Sequence, residues 1–302
     1  MSVLRRLWAY QSERFPLAKT LPLLAVFSAA SINLSAVLAD RNLPDVTAYM
    51  TGFVIAFVLF FQMRAADEVK DLDDDRRFRP ERPIPRGLVS LRAIVGLGLA
   101  GIPVATVTAW LWLPELVWLL ALVWLWLLAM SAEFGAPAWI KARPVLYLVS
   151  HMLIMPLIDV LLTGVEWLTH GGPHPALSLF FVLSFVNGCV LEIGRKTWAP
   201  ASEREGVESY SRLWGPARAA AVWLLALGLA LILLIGVGIA SGHPLAIATI
   251  GLAGFLTCAM AARQFRHAPS AVLEKRIDAL AGLWVLISYG AAGFVPVFWR
   301  GM

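Results

Sequence analysis

The chain reads as long apolar stretches separated by short polar connections. A helix needs about 20 apolar residues to cross a bilayer. Nine stretches meet that requirement: residues 15–38, 46–66, 88–110, 113–134, 144–162, 175–196, 217–239, 244–262 and 273–297. Helix suits them because backbone groups in lipid must be satisfied within the segment. A β-barrel would show short alternating segments, and there are none in the pattern. The predicted fold is all-α, a polytopic membrane protein with nine transmembrane helices in one bundle over residues 1–302. The two longest basic-side connections follow spans 2 and 6. Being four spans apart, they suggest a weak internal duplication, 15–134 against 144–262, with 273–297 as an added ninth helix.

Composition agrees with the pattern. The chain is 59% hydrophobic and 15% charged, against roughly 25% charged in soluble domains, and its mean hydropathy is +0.74. The net charge of +5 does not point to nucleic acid, because basic residues of membrane proteins gather in cytoplasmic loops. With nine spans, 23 of the 25 Lys and Arg residues fall on one side; Arg41 and Arg300 are the exceptions. This places the amino terminus in the cytoplasm and the carboxyl terminus outside, in the cell (inner) membrane. The polar start, Met1 to Lys19, has no short apolar core or cleavage site and is not expected to be a signal peptide.

Charge inside such a chain is expensive and tends to mean function. After span 2, six acidic residues fall within nine positions: Asp67, Glu68, Asp71, Asp73, Asp74 and Asp75. If the helix continues, Glu68, Asp71 and Asp75 share one face at i, i+3 and i+7, with Asp67 beside it. Clustered carboxylates repel unless a cation sits between them, and Mg²⁺ binds through one or two carboxylates together with substrate phosphates. The plain alternative is a solvated acidic patch neutralised by the Arg run behind it.

The loop after span 6 begins with Glu192, Arg195 and Lys196, then Glu203, Glu205 and Gly206. Glu192 and Lys196 are placed to pair at i, i+4; a second metal ligand beside phosphate-binding cations is the functional alternative. Arg14, Arg79, Arg82, Lys141, Arg143, Arg195 and Lys196 all lie on the basic side and could meet a phosphate. Asn33, Gln62, Arg64, Glu133, Asp159 and Asn187 lie within spans and are candidates for lining a cavity. The many Trp residues between 110 and 126 read as interfacial and lipid-facing bulk. Cys189 and Cys258 lack paired spacing, and His151 and His174 have no metal or triad spacing and read as incidental.

Asp67-Glu68-x-x-Asp71-x-x-x-Asp75, followed by Arg79-Pro80-Glu81-Arg82-Pro83-Ile84-Pro85-Arg86-Gly87, resembles the first motif of the UbiA superfamily of intramembrane prenyltransferases. Arg14-Phe15-Pro16 stands where that family often has Arg-Pro before helix 1. The resemblance spans the whole chain and implies Mg²⁺-dependent transfer of an isoprenyl group from a prenyl diphosphate to a lipophilic acceptor, commonly an aromatic ring. It implies Asp67, Glu68, Asp71 and Asp75 as metal ligands, with Glu192 and Glu203 as their partners from the second loop. It implies Arg14 and Lys141 as contacts for the diphosphate. Taken with the charge reading above, Asp71, Asp75 and Lys141 are the expected catalytic residues, and Arg79, Arg82, Arg195 and Lys196 further expected diphosphate contacts. The chain departs from the family pattern in two places. Asp67 and Glu68 replace Asn and Asp, and the second loop has no D-x-x-x-D. A terpene cyclase of the same superfamily is therefore an alternative. From another class, so is a transporter using the acidic loops as a cation vestibule.

Overall fold

The computed structural model describes residues 2–300. Where a span begins in a polar loop, a short side chain caps it. Asp45 accepts from the amides of Thr47 and Ala48 at 2.9 and 3.2 Å, and Ser90 from that of Ala93 at 3.2 Å. Such caps satisfy the orphan donors of a first helical turn. The helices in order are α1 (Val3–Arg14), α2 (Leu17–Leu38), α3 (Val46–Lys70), α4 (Leu72–Phe78), α5 (Leu91–Trp112), α6 (Leu116–Ser131), α7 (Pro137–Lys141), α8 (Pro144–Met152), α9 (Ile154–Trp167), α10 (Leu177–Arg195), α11 (Tyr210–Trp214), α12 (Pro216–Ala240), α13 (Pro244–His267) and α14 (Ala271–Arg300). No strand occurs among the described residues.

The nine predicted spans map onto α2, α3, α5, α6, α8 with α9, α10, α12, α13 and α14. Eight of these are long and apolar enough to cross a membrane; α6, with 16 residues, is shorter. At 1.5 Å per residue it reaches about 24 Å. The chain leaves it through a tight turn at Glu133–Gly135. The fifth span is kinked at Leu153, between α8 and α9. Pro156 is the cause: it has no amide hydrogen to give the carbonyl of Met152, and its ring crowds that carbonyl.

The helices close into a ring. α2 packs on α3, α3 on α5, α5 on α6, α6 on α9, α9 on α10, α10 on α12, α12 on α13, α13 on α14, and α14 returns to α2. α2 is an inner helix, buried from Leu24 almost continuously to Leu38. α5 buries only Ile94, Gly98, Ala105 and Ala109 and turns the rest of its surface outward. The ring seals where Gly293 of α14 lies directly on the backbone of Ala30, an approach that leaves no room for a Cβ. Small residues at such crossings let membrane helices pack by dispersion alone.

Polar groups at membrane depth join helices. Asp159 accepts from Ser31 Oγ and the Tyr289 hydroxyl, both at 2.6 Å. Asn187 donates to Ser288 and accepts from Trp284 Nε1, both at 2.9 Å. Gln62 donates to the carbonyl of Gly98 at 3.0 Å and accepts from Trp124 at 2.8 Å, and Asn33 accepts from Tyr49. These side chains pin neighbouring helices together. At the end opposite the basic loops, Arg41 pairs with the buried Glu166 at 3.2 Å. There Arg300 donates to the carbonyl of Val37 at 2.7 Å and to Asp40 at 3.0 Å.

Candidate active site

Helix α3 carries the first acidic motif past the apolar span, then stops. Asp71 has φ −87° and ψ 1°, and α4 restarts at Leu72. The break divides the carboxylates into two kinds. Glu68 and Asp75 are buried, 3% and 2% exposed, and both are spoken for. Glu68 Oε1 receives Arg14 Nε at 2.7 Å, with Arg64 Nε at 3.3 Å and the Tyr10 hydroxyl at 3.4 Å. Burial, reinforced by the Glu68 charge, pushes the Tyr10 hydroxyl well above its ordinary pKa, so it stays a donor. Asp75 takes Arg82 Nη1 at 2.6 and 2.8 Å and Arg79 Nε at 3.3 Å.

Asp67 and Asp71 are the other kind. Asp67 is half exposed, and its one ion pair among the described residues is with Arg64, at 3.7 Å. Asp71 has no ion pair among the described residues. It lies one helical turn beyond Asp67, its amide bonded to the Asp67 carbonyl at 2.9 Å. Burial, then repulsion by Asp67 and Asp75, raises its pKa above the usual carboxylate value. The guanidinium side of the cluster is incomplete in the complementary sense. Arg14 Nη2, Arg64 Nε and Arg79 Nε are buried, and none has an aligned acceptor among the described residues. The ensemble is two loosely held carboxylates beside three guanidinium N–H groups with no aligned acceptor among the described residues.

A second centre lies on the turn after α6. Glu133 and Phe134 have φ of 48° and 53°, left-handed values at two successive non-glycine residues, followed by Gly135 at 72°. Such conformations cost about 1–3 kcal/mol each and persist only where surrounding structure imposes them. The turn aims Glu133 inward, 4% exposed. Lys70 Nζ stands 3.0 Å from Glu133 Oε1 and Lys141 Nζ 3.4 Å. Neither contact aligns as a hydrogen bond, and among the described residues no donor is aligned to either Glu133 oxygen. Lys70 also donates to the Tyr147 hydroxyl and lies 3.3 Å from His151 Nε2. His151 Nδ1 is 2.9 Å from the Tyr147 carbonyl, so it must carry the hydrogen and leave Nε2 as acceptor for Lys70. Sequence reasoning missed Lys70 and took His151 as incidental. Their partners are 77 and 81 residues from Lys70 and leave no local spacing to read.

The second loop holds its leading carboxylate closed. Glu192 is clamped by Arg195 at 2.5 Å and Lys196 at 3.0 Å. Glu203 accepts from the Ser209 hydroxyl, whose Oγ lies 2.7 and 2.8 Å from its two oxygens. The two loops meet. Arg204 bonds Glu81 at 2.7 Å, and Gly206, at φ +70°, lies against the Phe78 ring where any Cβ would collide. Asp67 of the first loop is an electrostatic neighbour of Arg195 in the second.

Among the described residues no three His, Cys, Asp or Glu side chains group as a ready metal site. Glu68, Asp75 and Glu192 are neutralised by arginines and lysines, while Asp67 and Asp71 suit a single hard cation that takes its other ligands from a phosphate. A surface cleft of about 560 Å³ at the α13–α14 turn, lined by Met260, Arg263, Gln264, His267, Ala268 and Leu273, contains none of these carboxylates.

The fold has relatives among solved structures. A UbiA homolog from Aeropyrum pernix K1 superposes with a TM-score of 0.71 at 17% identity, over 92% of this chain and 98% of that one. A structure of digeranylgeranylglyceryl phosphate synthase gives a TM-score of 0.58 at 15% identity, over 95% of this chain and 99% of that one. At these identities the likeness establishes the architecture. No individually curated protein sequence matches the chain. The sequence profile of the UbiA prenyltransferase family matches residues 23–297. That match covers all nine spans but for the first residues of α2, and both acidic loops. This multi-pass membrane protein belongs to the UbiA prenyltransferase family.

Proposed function

We propose that the protein is a membrane-embedded prenyltransferase. On this reading it moves an isoprenyl group from a prenyl diphosphate to a lipophilic acceptor, with the reaction at the cytoplasmic end of the bundle in the inner membrane. The observation that carries this reading is the first loop. Three buried arginine N–H groups without an aligned acceptor among the described residues stand beside Asp71, which has no ion pair there, and half-exposed Asp67, whose ion-pair contact is a long 3.7 Å one to Arg64. A diphosphate offers the oxygens those donors lack, and a divalent cation meets the carboxylates. The solved relative described as digeranylgeranylglyceryl phosphate synthase acts in membranes, consistent with lipid-soluble substrates for this chain.

In this mechanism Arg14, Arg64 and Arg79 hold the diphosphate, and Glu68 and Asp75 hold the arginines. Asp75 is thus a positioning residue acting through Arg79 and Arg82. When the allylic C–O bond breaks, the electron pair leaves with the diphosphate oxygen, and the fixed guanidinium dipoles stabilise the charge that develops there. Asp67 and Asp71 would hold a Mg²⁺ ion, which would supply further neutralisation of that charge. Lys141, Arg195 and Lys196 extend the positive wall. The cation left behind lies on the apolar side, where the acceptor attacks and then gives up a proton. The polar side chains deeper in the bundle are paired between helices, which favours this reading over a transporter with a polar path.

The test is turnover. Purified protein in lipid nanodiscs with Mg²⁺ and prenyl diphosphates of increasing chain length should release pyrophosphate only when an acceptor is added. Release without acceptor would indicate a cyclase. No release from any donor would end the proposal.

A further inference from the structure

The buried Glu133 is not needed by the chemistry above, yet the fold goes to some length to place it. It sits on a left-handed turn, points inward and faces two ammonium groups. We propose that Glu133 is an internal anion that occupies Lys70 and Lys141 until the substrate's diphosphate displaces it. This makes Lys70 a further diphosphate-contacting residue. The inference rests on the reading of the site as a prenyl diphosphate site.

Three observations carry it. First, the grip is by charge alone. A buried structural carboxylate is ordinarily satisfied by aligned donors, as Glu68 and Asp75 are here. Glu133 receives none among the described residues, so a ligand with more charge and more acceptor oxygens can replace it. Second, the charges do not cancel. Two lysines face one carboxylate, and the neighbouring histidine, acting as acceptor, is neutral. Within ion-pair distance of Glu133 that leaves one positive charge in excess, which favours an anion.

Third, the place is right. Lys70 directly precedes Asp71. It is anchored to Tyr147, whose electrostatic neighbours are Lys196, Glu133, Glu192 and Asp71. Lys70 therefore adjoins Asp71 in the chain and, through Tyr147, the neighbourhood of Lys196 in the second loop. It is 17% exposed and Lys141 48%, so neither ammonium is sealed from an incoming ligand.

The experiment is titration of inorganic pyrophosphate into the protein in zwitterionic nanodiscs, with inorganic phosphate as a second ligand. Glu133→Gln should bind pyrophosphate about tenfold tighter than the unmodified protein, within the range of ordinary site-to-site coupling. It should also lower KM for the prenyl diphosphate without a matching rise in kcat. Lys70→Ala added to Glu133→Gln should cancel the gain. Unchanged or weaker binding by a Glu133→Gln protein of normal melting temperature would overturn the proposal. So would a gain that survives Lys70→Ala, or an equal gain for inorganic phosphate. If Glu133→Gln does not fold, Glu133→Asp retains the charge but retracts it from the lysines. A smaller gain is then expected, and no gain overturns the idea. Turnover by the unmodified protein with no gain on substitution would remove the placeholder and leave the transferase. A gain without turnover of any prenyl diphosphate would remove the transferase and leave an anion site guarded by Glu133.

Discussion

The two basic-side loops occupy matching positions after α3 and α10, and each opens with a carboxylate at the end of a span. They differ in what surrounds those carboxylates. In the first loop the arginines are drawn onto Glu68 and Asp75, Asp71 is left without an ion pair among the described residues, and half-exposed Asp67 keeps a long 3.7 Å contact with Arg64. In the second, Glu192 has a cation one turn away on both possible registers, i+3 and i+4, and is closed by its own helix. Carboxylate count says little about metal affinity. What decides it is whether a fixed cation already stands within ion-pair distance, because a divalent ion must displace that partner. On the proposed reading the first loop would receive a cation with its ligand. The second is built to present positive charge.

The comparison can be broken most sharply at Asp71. Asp71→Asn should lower the rate of pyrophosphate release by about 10²–10³-fold and raise the Mg²⁺ concentration needed for half-maximal rate. An unchanged Mg²⁺ midpoint would remove Asp71 from the cation site. Next is Glu68→Gln, which strips the anion from Arg14 and Arg64. Loss of one partner from a buried ionic cluster costs about 3 kcal/mol, so thermal unfolding in detergent should move down by several degrees and activity should fall with it.

Gly206→Ala acts on the contact between the loops. The left-handed backbone and the Phe78 ring together should cost about 1–3 kcal/mol, read as a lower melting temperature with a normal Mg²⁺ midpoint. The smallest effect is expected at Glu192. Glu192→Gln should leave the Mg²⁺ midpoint within about twofold, since the carboxylate is already committed to Arg195 and Lys196. A large shift in that midpoint would show the two loops to be equivalent after all.

Much of the architecture could be read from the chain. Long apolar runs and the one-sided distribution of Lys and Arg are sufficient for nine helices and a basic end, because lipid leaves so few backbone solutions. The Arg-Pro-rich tail after Asp75 pointed to the family. The division of labour among the carboxylates was not legible, for two physical reasons. The face shared by Glu68, Asp71 and Asp75 presumes an unbroken helix, and the helix breaks at Asp71. The partners that close Glu68 come partly from α1, with Arg14 54 residues away, and pairing over such separations leaves no periodic trace. The same holds for Lys70, Glu133 and His151. The local sign of that centre is a charge at the end of a Trp-rich apolar run, two residues before Gly135.

The contact of α14 with α2 has a consequence for how the protein is made. Both motif loops emerge from the ribosome before α14 does, but the ring they cap cannot close without it. Until Tyr289 arrives, Asp159 has Ser31 but lacks one of its two closest hydroxyl donors, and a carboxylate at membrane depth is costly in that condition. Gly293 likewise has no Ala30 to lie against. The unfinished chain is thus a marked species: a bundle with an open seam and an acid at membrane depth short of one donor. Completion of the last helix removes both marks at once, so membrane quality control could tell a finished molecule from a truncated one before any substrate is bound.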